Sequence, residues 1–226
     1  MPYNNESYFC CFSKLAQPIR YLLAYTETEC EYCDYVTGDA PGYDKSCWLS
    51  VKETLGLPFP NLPYFIDGDV KLTQTMAIMR HIARKHDLCG TTEEEMMRAD
   101  VIEGEATDFI AGFMKFTYFS PDFEGGRADY LNSCNSFLRR HSDFLGTYPY
   151  FTGEHLSFAD FMMYEFLDQL RTFEPLTLDP FQNIKDFMAR IEEIPAIKTF
   201  LDSEYFRNQP ISNKMAHWGT KPPPRH

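Results

Sequence analysis

The apolar positions change their spacing along the chain, from short β-like runs mixed with helical stretches to an almost unbroken helical pattern. Residues 6–12 are a short apolar and aromatic run, which predicts a strand. Leu15, Ile19, Leu22 and Leu23 then fall at helical spacing and predict a helix over 15–27. Pro18 suits that helix only in its first turn, where a missing N–H costs nothing. Residues 32–36 read as a second strand, and a polar loop containing Gly and Pro follows from Gly38 to Asp44. Two β-rich runs, 61–66 and 70–73, flank Asp67-Gly68-Asp69 and predict a hairpin. Ala77, Ile78, Ile82 and Ala83 mark a helix ending near His86.

Beyond that point the pattern is helical almost throughout. Thr92 with Glu95 has capping-box spacing and opens a long helix to about Phe119. A second helix is predicted over 128–144. Ser157 with Asp160 opens a third, which carries Phe158, Phe161, Met162, Phe166 and Leu170. Two more follow near 181–192 and 195–205. The tail from Pro210, which ends in Lys221-Pro222-Pro223-Pro224-Arg225-His226, is expected to fray. The order β-α-β, then β-β-α, is that of a thioredoxin-like mixed sheet. The predicted fold class is therefore α/β plus all-α. A thioredoxin-like domain covers 1–88 and an all-helical domain covers 89–226, with Cys89-Gly90-Thr91 as the linker. No internal repeat is visible.

Composition narrows the function. The chain has 226 residues, room for one to two domains at about 150 residues each. Asp and Glu number 33 against 21 Lys and Arg, a formal charge of −12. Such a chain repels phosphate backbones and anionic lipid, so neither a nucleic-acid nor a membrane partner is expected. A local pocket can still take a small anion. No apolar run approaches the about 18 residues of a membrane span. The start, Met1-Pro2-Tyr3-Asn4-Asn5-Glu6, lacks the basic and apolar regions of a signal peptide. The expected location is the cytoplasm, with the cysteines at 10, 11, 30, 33, 47, 89 and 134 as reduced thiols.

Most chemical motifs are missing. There is no H-E-x-x-H, no cysteine and histidine cluster with zinc spacing, no phosphate-binding or dinucleotide loop and no G-x-S-x-G, and no metal is expected. Cys30-x-x-Cys33 has redox spacing, but it sits at the entry to a strand rather than at a helix N-terminus that would acidify a thiol, so it reads as coincidence. The informative stretch runs from Trp48 to Ile82. Pro63, ahead of a sheet strand, is the place for a cis peptide that leaves neighbouring backbone groups to pair with a peptide-like ligand. Gln74-Thr75 at a helix N-terminus offers an amide, a hydroxyl and N–H groups to a carboxylate. Trp48, Lys52 and Lys45 could hold a second carboxylate. Two carboxylate sites and a backbone pairing strip are what glutathione requires.

These segments carry a resemblance to the mu-class glutathione S-transferases that spans Leu15 to Trp218. The matching stretches include Leu15-Ala16-Gln17-Pro18-Ile19-Arg20, Gly38-Asp39-Ala40-Pro41 through Trp48-Leu49, Gly56-Leu57-Pro58-Phe59-Pro60-Asn61-Leu62-Pro63-Tyr64, Ile66-Asp67-Gly68-Asp69-Val70-Lys71-Leu72-Thr73-Gln74 and Ala216-His217-Trp218. The long loop at 38–48 is the mark of the mu class. The resemblance implies a homodimer that uses glutathione as co-substrate. It implies that Trp48 and Lys52 hold the glycine carboxylate, with Lys45 where the family usually has Arg. Asn61 and Leu62, beside cis-Pro63, would meet the cysteinyl backbone. Gln74 and Thr75 would take the γ-glutamyl group, Asp108 would reach it across the dimer, and Leu15 would line the seam between the two pockets. Phe12, Thr107, Ala111, Tyr118 and Ser212 would form the electrophile pocket. Phe59 would insert into the partner subunit, and Arg80 would lie near the dimer axis.

The departures concern the first strand. Counting back from Leu15 without a gap puts the family's catalytic Tyr on Phe9, which cannot donate to the glutathione sulfur. One inserted residue within 10–14 returns Tyr8 to that place, and Lys14, where the family has Gly, shows that this loop is rebuilt. Tyr8 is thus read as the hydroxyl donor. A second reading makes Cys10 or Cys11 a mixed-disulfide cysteine, as in omega-class relatives. Those relatives place the cysteine seven before the residue equivalent to Arg20, where this chain has Ser13. The expected reaction joins the glutathione thiol to an apolar electrophile. The alternative is a non-catalytic binder of glutathione and apolar ligands.

Overall fold

The computed structural model describes residues 7–10 and 14–223, with side chains from Leu15 onward. Four short strands form one mixed sheet: β1 (Ser7–Cys10), β2 (Glu31–Cys33), β3 (Tyr64–Asp67) and β4 (Val70–Thr73), in the order β2-β1-β3-β4. β1 and β2 run parallel, whereas β3 is antiparallel to both β1 and β4. A parallel pair needs a crossover, and α1 (Gln17–Tyr25) supplies it. Pro18 stands in the first turn of α1, as its missing N–H requires. Asp67 pairs with Val70, and Gly68 takes the positive φ of +60° that this two-residue turn needs.

Two differences from the sequence reading are local. A one-turn helix, α2 (Ser46–Leu49), interrupts the long polar loop; four residues are too few to show a helical period. The second strand is shorter than expected and earlier. α3 (Thr75–Lys85) closes this half of the molecule. Ile19, Leu22 and Leu23 of α1 and Ile78, Met79, Ile82 and Ala83 of α3 are buried against Phe65 of the sheet.

The remaining helices are α4 (Glu93–Phe119), α5 (Arg127–Leu145), α6 (Phe158–Phe173), α7 (Gln182–Glu192), α8 (Pro195–Asp202) and α9 (Glu204–Arg207). α6 is buried on nearly every side, which marks it as the central helix of this half. Its expected capping box is present. Ser157 Oγ accepts from the Ala159 amide at 3.2 Å, and Asp160 Oδ2 accepts from the Ser157 amide at 2.9 Å. The Phe158 amide donates to the Leu88 carbonyl at 3.0 Å, tying the start of α6 to the end of the sheet domain. At α4, Thr92 Oγ1 accepts from the Glu95 amide at 3.1 Å as expected. The Glu95 carboxylate, however, bonds the Thr91 amide at 2.8 Å and the His155 ring at 2.7 Å.

The tail does not fray over the described residues. Trp218 packs edge-on against Phe113 and Phe173, and the His217 amide donates to the Thr117 carbonyl at 2.8 Å. Lys214 reaches Asp39 in the 38–44 loop at 2.6 Å. An aromatic anchor and backbone pairing outweigh the polar, Pro-rich composition of this segment.

Candidate functional site

The loop from Gly38 to α2 is closed by its own backbone. The Gly38 amide donates to the Asp44 carbonyl at 2.8 Å, and Asp44 in turn accepts from the Ser46 amide and hydroxyl at 2.9 and 2.7 Å. This closure sets the position of α2 and of Trp48. The Trp48 ring stacks on Tyr64 with centroids 5.9 Å apart and leans on Tyr35 at 5.2 Å. Leu62 belongs to the same small apolar cluster, together with Leu57 and Cys33. Lys52 follows one turn later and pairs with Glu53 at 3.5 Å; Lys45 is exposed at the start of α2. The Leu62–Pro63 peptide is cis, as is Ala40–Pro41. Asn61 Oδ1 accepts from the Leu62 amide at 2.9 Å.

Gln74 is the N-cap of α3 and holds a φ of +73°, an unfavourable conformation for a residue with a side chain. Thr75 donates its hydroxyl to the Leu15 carbonyl at 2.9 Å, which binds the α3 N-terminus to the loop ahead of α1. These residues form one wall of a cavity of about 290 Å³ between the two halves of the molecule. Leu15, Gln74, Thr75 and Met76 face Thr107, Ile110, Ala111 and Met114 of α4, with Met162 of α6 also in the lining. The cavity thus brings together three residues expected at glutathione and two expected at the electrophile. Met76, Ile110, Met114 and Met162 were not anticipated. Met114 could have been found, because it continues the face of α4 that carries Thr107 and Ala111.

Tyr118 lies two turns beyond Ala111 on that face. Its hydroxyl accepts from the Asn213 amide at 3.0 Å, and burial raises its pKa although the Asn213 and Ser212 bonds oppose the shift. Ser212 is a buried residue of the tail, so these two residues mark where the tail meets α4. Phe12 lies outside the described residues. Asp108 is exposed on α4, next to Thr107. Phe59 is 77% exposed between Pro58 and Pro60. Arg80 bonds Asp100 at 3.3 Å and Glu103 at 2.5 Å within the same chain.

The sheet register separates the first-strand candidates. Tyr8 is opposite Ile66 on β3, and Phe9 is opposite Phe65. Ile66 packs in the cluster that holds Trp48, whereas Phe65 is buried in the main core. Cys10 stands in the next row but one from Tyr8, opposite Tyr64.

The family model described as the N-terminal domain of glutathione S-transferase matches residues 7–84. The one described as the C-terminal domain matches residues 107–204. A thioredoxin-like sheet followed by a helical bundle, with a cavity at their junction, is thus the two-domain architecture of these transferases. The crystal structure of the glutathione S-transferase Blo t 8 superposes with a TM-score of 0.86 at 30% identity, covering 94% of this chain and 99% of that one. Glutathione S-transferase Mu 2 of Mus musculus is 49% identical over 207 residues, 92% of this chain and 94% of the relative. Glutathione S-transferase Mu 3 of Homo sapiens is 49% identical over 208 residues, 92% of each. The chain belongs to the mu-class glutathione S-transferases.

Proposed function

We propose that this transferase binds glutathione along the line from α2 to the α3 N-terminus and attacks apolar electrophiles from the cavity beside α4. Trp48, Lys52 and Lys45 hold the glycine carboxylate at one end. At the other, the N–H groups of α3 and the Gln74 amide take the γ-glutamyl carboxylate, and the Thr75 hydroxyl joins them by exchanging its bond to the Leu15 carbonyl for the ligand. Between them the peptide pairs with backbone at Leu62, where the ligand replaces the bond from Asn61. What supports this reading is that the cavity is shared: Gln74 and Thr75 line it with Thr107 and Ala111, so both substrates meet at one place. Holding two reactants in attack geometry is itself a large part of the rate.

Tyr8 is the group that stabilises the thiolate. A hydroxyl aimed at the sulfur favours the ionised form and so populates the nucleophile at neutral pH. The sulfur attacks the electrophilic carbon, a thioether forms and the leaving group departs with its electron pair. The register supports Tyr8 over Phe9, because the Tyr8 row is that of the Trp48 cluster and the Phe9 row is that of the core. A catalytic thiol has less support: the thiol-exchange relatives place their cysteine seven residues before the equivalent of Arg20, where this chain has Ser13. The active unit is a cytoplasmic homodimer in which Asp108 of each subunit completes the other's γ-glutamyl site, Phe59 anchors the contact and Arg80 lies near the axis. Nothing observed favours a silent carrier over an enzyme.

The test is Tyr8→Phe. Conjugation of a generic aromatic electrophile should fall by about 10²–10³, the usual effect of losing one donor to a developing anion. Ultraviolet titration should show a higher pKa for bound glutathione, with affinity nearly unchanged. Full activity in Tyr8→Phe, or its loss in Cys10→Ser/Cys11→Ser, would replace Tyr8 with another group.

A further inference from the structure

The Cys30-x-x-Cys33 spacing suggests a redox pair, but the strand it spans forbids one. β2 (Glu31–Cys33) starts just after Cys30 and ends on Cys33, and three steps of extended chain at about 3.3 Å each put the two Cα atoms about 10 Å apart. A disulfide needs Cα atoms within about 4.4–6.8 Å. The sheet instead pairs Cys33 with a different cysteine. β1 and β2 are parallel, and Cys10 is the direct register partner of Cys33. Neighbouring strands lie about 4.8 Å apart, so two residues in one register row meet the distance that the Cys30–Cys33 pair cannot.

The row matters because of where it ends. It runs Cys33, Cys10, Tyr64, Thr73 across the sheet. Tyr64 follows Pro63 and Thr73 precedes Gln74, so the two cysteines share a row with both backbone segments assigned above to glutathione. The Cys33 side chain packs against the Leu57 and Tyr64 cluster, as Trp48 does, and is partly exposed.

We propose that Cys10 and Cys33 are an oxidisable pair, closed to an intramolecular disulfide by glutathione disulfide. One protein thiol, as thiolate, attacks the glutathione disulfide; the protein–glutathione bond forms and one glutathione thiolate leaves. The second protein thiol gives up its proton and attacks the protein sulfur, and a second glutathione leaves. Two protein thiols are oxidised and one glutathione disulfide is reduced to two glutathiones. Burial, with the carboxylates of Glu31 and Asp34, raises the pKa of the Cys33 thiol. The closed bond ties the strand that carries Tyr8 to its neighbour. The pairing itself rests on the register and not on the Tyr8 assignment.

Trypsin cuts after Lys14, Arg20 and Lys45, which leaves Cys10 and Cys11 in one peptide and Cys30 and Cys33 in another. Cys11→Ser/Cys30→Ser therefore isolates the proposed pair. After treatment with glutathione disulfide, mass spectrometry should find the 1–14 and 21–45 peptides linked, the protein lighter by two hydrogens, and the link absent after dithiothreitol or in Cys33→Ser. Hydroxyethyl disulfide is run in parallel, and closure by either reagent supports the pair whether or not glutathione binds as proposed. Absence of the link with both reagents overturns the proposal, as does a glutathione adduct on either cysteine without a link. Fragment ions from the oxidised wild-type protein give a second measurement; a bond through Cys11 or Cys30 there also overturns it.

Discussion

Asp160 is fully buried, and its carboxylate accepts from the Phe151 amide, the Thr152 hydroxyl and the Ser157 amide at 2.8, 2.7 and 2.9 Å. Burial raises its pKa to about 6 even though these bonds favour the charged form. Removing the side chain strands three buried donors, each costing on the order of 1–3 kcal/mol. Asp160→Ala should therefore lose about 3 kcal/mol or more in urea unfolding, while Asp160→Asn, which keeps an acceptor, loses less. Glu95 shows the opposite balance. Burial disfavours its charge, but the Thr91 bonds and the His155 ring outweigh this and hold its pKa at about 2, below the ordinary 4.5. A carboxyl whose pKa is lowered by folding stabilises the protein above its unfolded pKa, and that contribution is lost as the pH falls through the folded one. Acid unfolding followed by circular dichroism should show wild-type stability falling between pH 4.5 and 2, and Glu95→Gln should flatten that slope. Both residues were visible in the sequence as capping partners. Their tertiary bonds to Thr152 and His155 were not, because spacing reports only neighbours along the helix.

At the scale of elements, α4 forms the wall of the cavity proposed above for the electrophile. Thr107, Ala111 and Met114 share one face, and the small side chain at 111 leaves space between α4 and the methionines at 76 and 162. An aromatic ring at 111 would fill that space. Ala111→Phe should raise KM for a bulky aromatic electrophile by about tenfold or more, since a single methylene in an apolar pocket is already worth about 1–3 kcal/mol. KM for glutathione should stay within about twofold, because the contacts proposed for it come from α2 and α3. A matched rise in both constants would place residue 111 outside the electrophile site. The helical period of α4 was legible from the sequence. Its inward face was less so, because the long helix alternates between packing on α6 and lining a cavity, and both surfaces are apolar.

For the whole molecule, the exposed Phe59 is a feature that a single chain does not explain. Its ring is 77% exposed on a loop stiffened by Pro58 and Pro60, a form suited to insertion in a partner at little entropic cost. Phe59→Ala should weaken the proposed dimer by about 2 kcal/mol or more, the scale of a central anchor. Analytical ultracentrifugation at low micromolar concentration reads this directly, and an unchanged dissociation constant would remove Phe59 from the contact. By itself, the order of apolar periods determined the mixed sheet and the helical half, because those choices depend on spacing that each segment carries within itself. Residue types also determined the ends of α4 and α6, where hydroxyls and carboxylates satisfy their own local backbone. Tertiary structure alone decided that Cys33 neighbours Cys10, that the tail docks through Trp218, and that Gln74 and Thr75 share a cavity with α4. Each of these joins residues far apart in sequence. Strand register and the packing of the two halves bring them together, and neither leaves a local period to read.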